Sequence, residues 1–191
     1  MASTKPQTGA ATSKTPENQP QTQKITTFLW FDNNAEEAVN FYTSVFKNSK
    51  INGVTRYSQA GQEVHRRPPG SVMVVEFELD GEVFTALNGG PAFTFNEAIS
   101  LQIMCDTQQE IDYYWDKLSQ GGDPKAQVCG WLKDRYGLSW QVVPKKLKEL
   151  VKNHESPAAQ RVMTVMLQMK KLDIVELEQA AAGAPSAAAA R

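Results

Sequence analysis

The chain has 191 residues, 41% hydrophobic and 21% charged, with a formal net charge of −1. That length suits one ordinary domain or two small modules sharing a core. The charge balance gives no broad attraction toward nucleic acid or anionic lipid. No apolar run approaches the roughly 20 residues that cross a bilayer. Two distant cysteines, Cys105 and Cys129, and no charged-then-apolar leader pattern point to free thiols in a reducing, cytoplasmic setting.

Residues 1–23 are Thr, Gln, Pro, Lys and Ala with little to bury, so disorder is expected there. Residues 25–31 form an apolar, β-branched and aromatic run, which predicts a buried strand. The spacing of Ala38, Phe41, Tyr42, Val45 and Phe46 predicts a helix over 34–46, with Asn33 or Asn34 as its cap. Strands are expected at 53–58, 71–79 and 82–87, the last two joined at Asp80-Gly81, a pair suited to the positive φ of a tight hairpin. A strand at 99–105 precedes a second helix over 107–118, where Thr107 and Glu110 form a capping-box pattern and Gly121-Gly122 a stop. Strands at 128–132 and 139–143 follow, around the turn Asp134-Arg135-Tyr136-Gly137. Ser156-Pro157 opens a closing helix with Val162, Val165, Met166 and Met169 on one face, and Asp173 with Glu176 starts a short final one. Residues 180–191 read as an Ala-rich loose tail.

The two halves repeat. Aligning Asp32 with Asp106 places Glu36 on Glu110 and Phe41 on Trp115. A strand–helix–strands unit used twice predicts a paired architecture with a cavity within or between the halves.

Several runs resemble one family. They are Phe28-Leu29-Trp30-Phe31-Asp32, Glu36-Glu37-Ala38, Phe41-Tyr42, Asn88-Gly89-Gly90-Pro91 and Ser100-Leu101-Gln102. More specific are Cys129-Gly130-Trp131-Leu132-Lys133-Asp134 with Gly137, Ser139-Trp140-Gln141 and Pro144, and Gln168-Met169-Lys170-Lys171-Leu172-Asp173. Together they resemble the PhnB-like branch of the vicinal oxygen chelate superfamily, which includes glyoxalase I and bleomycin-resistance proteins and often carries the label 3-demethylubiquinone-9 3-methyltransferase. The resemblance implies an α+β fold of paired βαβββ modules at about 24–92 and 93–152, curved mixed sheets around a small-molecule cavity, closing helices at 156–179, and a homodimer.

Metal-using relatives place one ligand on the first and last strand of each module. The resemblance puts Thr27, Asn88, Gln102 and Gln141 at these corners, with the fourth-strand position at Leu87 or Asn88. All four residues of that set are neutral, whereas divalent transition ions favour imidazole, thiolate or carboxylate donors. The expectation is therefore a binding protein with no cofactor, using these polar contacts and Trp30, Trp131 and Trp140 as walls. Plain core packing is the competing reading of each tryptophan. A second reading is a metal-dependent lyase, isomerase or dioxygenase that uses Gln102, Gln141 and a carboxylate such as Glu76, on the same strand face as Glu78. A third is a methyltransferase; however, no G-x-G turn leads from a strand into a helix, and Gly89-Gly90-Pro91 leads into a loop.

Two further residues carry possible chemistry. His65 lies in a basic loop stiffened by Pro68-Pro69 that either covers the cavity mouth or is solvated, and Cys129 is either a nucleophile or a small packed residue. His154 reads as surface and Cys105 as core.

Overall fold

The structure, a computed structural model, describes residues 24–184. The segment 1–23 and the last residues of the Ala-rich stretch, 185–191, lie outside the described residues. The first half runs β1 (Thr27–Phe31), α1 (Ala35–Val45), β2 (Lys50–Arg56), α2 (Gln62–His65), β3 (Val72–Leu79) and β4 (Glu82–Asn88). The second half runs β5 (Leu101–Cys105), α3 (Gln108–Ser119), a 3₁₀ turn (Pro124–Ala126), β6 (Trp131–Lys133) and β7 (Ser139–Pro144). Three helices close the described chain: α4 (Lys145–Leu150), α5 (Pro157–Met166) and α6 (Ile174–Ala182).

The first sheet has the order β1-β4-β3-β2 and the second β5-β7-β6. In both, the first strand lies parallel to the last, β1 to β4 and β5 to β7, so the internal repeat is a repeat of topology. It is incomplete. The second half has three strands, with the 3₁₀ turn preceding β6 where the first half has β2.

Local chemistry explains most of the elements. Asp80 (φ 49°) and Gly81 (φ 86°) both take the left-handed conformation that closes the β3–β4 hairpin. At α3, Thr107 Oγ1 accepts the Glu110 N–H, and Glu110 reaches back to accept the Asp106 N–H. Ser156 and Asp173 cap α5 and α6 as their spacing suggests. The cap of α1 differs: neither Asn33 nor Asn34 serves, and the Ala35 N–H donates to Asn88 Oδ1 on β4 at 2.8 Å. Helix α6 runs to Ala182 with Ala180 buried, because Ala180 packs against Val162 and Leu177, so its first residues are not a loose tail.

Helix α1 packs on β2, β3 and β4, and α3 on β5, β6 and β7. The halves meet through aromatic rings. Tyr42 of α1 and Phe46, just past its end, contact Trp140 of β7 at 5.5 and 5.4 Å between centroids, and Phe46 stacks on Tyr114 of α3 at 5.1 Å. At this joint the buried Asp134 carboxylate accepts from Tyr42 Oη, Trp140 Nε1 and the N–H groups of Tyr136 and Leu138, all within 3.0 Å. Desolvation pushes its carboxyl above the usual carboxylate range, while the four donors pull the other way. Since each sheet turns its inner face to this shared core, each outer face points away from it.

Helices α4, α5 and α6 form a satellite core around Val162, Leu172 and Leu177. The segment 169–174 ties them to the second half. Met169 and Lys170 carbonyls accept the N–H groups of Cys129 and Gly130, and the Gln108 amide bonds both Leu172 O and Ile174 N.

Candidate functional site

Alternation along the strands sorts the candidate residues. On the first sheet the outer face carries a row of Gly53, Glu76, Thr85 and Phe28 across β2, β3, β4 and β1. On the second it carries Gln102, Gln141 and Trp131 across β5, β7 and β6. Gln102 and Gln141, chosen from sequence, are brought together: Gln102 Nε2 donates to Gln141 Oε1 at 3.2 Å, and Gln141 Nε2 donates to Ser100 Oγ at 2.8 Å. This relay leaves Gln102 Oε1 at its free, exposed end. Trp131, half-buried, pairs with Gln141 on the far side of the relay from Gln102.

The other two assigned corners lie elsewhere. Thr27 pairs with Phe84 and shares the core-facing phase of Leu29 and Phe31. Asn88 is 6% exposed, and its amide is used twice inside the fold, accepting from Ala35 N and donating to Val72 O at 3.1 Å. Its backbone carbonyl accepts from Tyr57 Oη at 2.7 Å. The true counterparts of the glutamine pair follow from the register. Phe28 pairs with Thr85 as Gln102 pairs with Gln141, and Phe28 precedes Asp32 by the same four residues that separate Gln102 from Asp106. The repeat alone carried that signal.

The tryptophans separate in the same way. Trp30 points outward, donates to Gly90 O at 2.8 Å and meets Phe93 edge-on at 5.0 Å. Trp140 is 2% exposed and belongs to the joint between the halves, where its edge reaches a cavity of about 530 Å³ between the β3–β4 hairpin and β5. Trp131 lines a separate cavity of about 500 Å³ with Cys129 and Ser139.

The remaining candidates occupy separate places. His65 ends α2 and stacks on Tyr57 at 4.5 Å; its Nδ1 accepts the Arg67 N–H. The basic loop is held down by Arg67, which donates to the Asp32 carbonyl and carboxylate at 2.8 and 3.2 Å. Cys129 is on the second half, in the turn before β6, with Met169 and Leu172 beside that turn. Glu76 is exposed on the first sheet, whose outer face points away from the core it shares with the glutamine pair's sheet. Among the described residues, no three His, Cys, Asp or Glu side chains cluster in a way that suits a metal ion.

Residues 23–143 match the model of a family described as 3-demethylubiquinone-9 3-methyltransferase. The chain belongs to that family. It is the PhnB-like branch of the vicinal oxygen chelate superfamily, and the sheets and helices above are its glyoxalase-like fold. Among solved structures, a putative 3-demethylubiquinone-9 3-methyltransferase, PhnB protein, from Bacillus cereus is 41% identical over 64% of this chain and 99% of its own, with a TM-score of 0.54. A protein from Staphylococcus aureus is 32% identical over 64% of this chain and 97% of its own, with a TM-score of 0.28. No curated protein matches the sequence. Helices α4 to α6 lie beyond the segment that the family model covers.

The fold family implies a divalent metal at the four corners, and the donor set here does not fit one. Phe28 offers no donor atom, Thr85 a neutral hydroxyl, and Gln102 and Gln141 neutral amides already bonded to each other. The glycines are equally committed. A Cβ on Gly89 would lie 2.3 Å from the Trp30 ring, and one on Gly90 would lie 2.8 Å from the Arg67 guanidinium. Their N–H groups donate to Phe31 O and Asp32 O, so the Gly-Gly pair seats Trp30 and Arg67 and leaves no free donors for a phosphate. No helix among the described residues is long and apolar enough to cross a membrane.

Proposed function

We propose that this PhnB-like chain binds a small organic molecule on the outer face of its second sheet, without a metal at the corners of the fold. The observation that carries the reading is the Gln102–Gln141 amide pair beside Trp131. Ligand sites combine flat apolar walls with a few oriented polar groups, and an exposed amide oxygen on the same strand face as an indole is such a combination. The two modules, about 24–92 and 93–152, act as one unit through the aromatic joint. A homodimer completes the cavity: each outer face is open, Phe28 is 57% exposed on the first, and a second copy sets one chain's first sheet against the other's second. The two free cysteines support a cytoplasmic setting.

Purified protein should release a small organic compound on denaturation, detected by mass spectrometry. Protein carrying Gln102→Ala and Gln141→Ala should release much less. Equal release from both proteins would overturn the reading. Light scattering should give twice the chain mass, and a monomeric mass would refute the shared cavity.

The metal-dependent alternative needs Glu76 beside the glutamine pair. Within one chain the two occupy outer faces that point away from a common core, so only a partner's Glu76 would serve. The methyltransferase reading finds no support at Gly89-Gly90, whose amides are used; titration with S-adenosylmethionine should give no heat.

A further inference from the structure

At the β6 edge of the second sheet is a cavity of about 500 Å³ that the amide pair does not use. Its floor includes Ser139, 1% exposed, whose hydroxyl has no hydrogen-bond partner among the described residues. A buried hydroxyl without a partner is uncommon, because desolvating it is not offset by a bond. Ser139 is two residues before Gln141 on β7 and sits opposite Lys133 of β6, so it shares the outer face. The walls are apolar. Trp131 is half-buried, Leu132 and Ala126 flank it, and Val128 is 50% exposed.

The charges at this cavity are unequal. Glu97 is occupied by Lys133, whose ammonium bonds it and holds its carboxyl below the usual range. Lys125, on the 3₁₀ turn, makes no ion pair among the described residues. One ammonium and one hydroxyl are thus left to donate, above a flat indole wall. We propose that this cavity binds a small aromatic carboxylate, its carboxylate taken by Ser139 Oγ and Lys125 Nζ and its ring laid against Trp131. Paired donors on an anion give stronger bonds than neutral partners do, and the apolar ring covers Val128 and Trp131.

Cys129 supplies a built-in reporter. It lines the same cavity, and its position is fixed by a left-handed backbone (φ 50°) and an N–H bond to Met169 O at 2.8 Å. The other thiol, Cys105, is 1% exposed and pushed up to about 12, chiefly by burial, so alkylation reads Cys129 alone. Iodoacetamide labelling of the full chain, followed by mass spectrometry with increasing benzoate, should show Cys129 protected saturably, by about fivefold or more. Benzamide, of the same shape without the charge, should protect poorly. Ser139→Ala and Lys125→Gln should each raise the half-protecting benzoate concentration about tenfold, the effect of losing one bond to a charged group. Lys125 sits on an exposed turn, so its variant tests the charge without disturbing the core. Gln102→Ala should leave protection unchanged, which separates this cavity from the amide-pair site. The proposal fails if benzoate gives no saturable protection, if benzamide protects equally, if neither variant weakens benzoate, or if Gln102→Ala abolishes the effect.

Discussion

The two halves share a topology and differ in what they place on their outer faces. The first half sets Phe28 and Thr85 at the paired positions of its first and last strands, and the second sets Gln102 and Gln141 there. They also cap their helices differently. Helix α3 is closed locally by Thr107 and Glu110, whereas α1 borrows Asn88 from across its sheet. In the first half the polar residue nearest the end of the last strand is thus spent on the fold, and in the second the two amides bond each other and leave Gln102 Oε1 exposed. A repeat preserves backbone geometry more strictly than it preserves chemistry.

The joint between the halves carries the largest expected effect. Replacing Asp134 with Ala removes the acceptor for four donors in a buried site, and unfolding by denaturant should show a loss of about 4 kcal/mol. A loss below about 1 kcal/mol would mean that the halves hold together by their rings alone. The capping contrast comes next. Asn88→Ala should cost about 2 kcal/mol, because it strands a helix N–H and the Val72 carbonyl, while Thr107→Ala should cost about 1 kcal/mol. Equal losses would erase the distinction between borrowed and local caps.

A smaller effect follows from pH. Burial raises the Asp134 carboxyl above its ordinary 3.8, so the folded state holds that proton more tightly than the unfolded state. The stability it contributes is full below 3.8 and is lost as pH rises through the raised value. The stability difference between wild type and Asp134→Asn should therefore fall across that window in a denaturation series, and a rise would reverse the sign of the argument. Least of all, Gln102→Ala should change stability by no more than about 0.5 kcal/mol, since the side chain is exposed and its hydrogen-bond partner Gln141 keeps Ser100. A larger loss would make the amide pair a structural element.

Much of this was legible in the sequence. The Asp32–Asp106 repeat carries the paired topology and Asp80-Gly81 the hairpin, and Gln102 and Gln141, each assigned to a corner from sequence, lie side by side on β5 and β7. The first half's corners were missed for a physical reason. Strand faces alternate with period two, so an error of one residue moves a side chain from the outer face to the core, as happened between Thr27 and Phe28. The irregular segment 32–34 between β1 and α1 keeps no strand phase, so spacing from the helix does not fix a face on β1. Asn88 was misread because a helix cap supplied from a distant strand leaves no local pattern. The short helices α2 and α4 and the 3₁₀ turn gave no periodic signal long enough to see.

Calorimetric titration of the purified protein with zinc, manganese and nickel tests the central claim most directly. Corners made of a phenyl ring, a hydroxyl and two mutually bonded amides should take up none of these ions stoichiometrically. One ion bound per chain, and lost in Gln102→Ala, would contradict it.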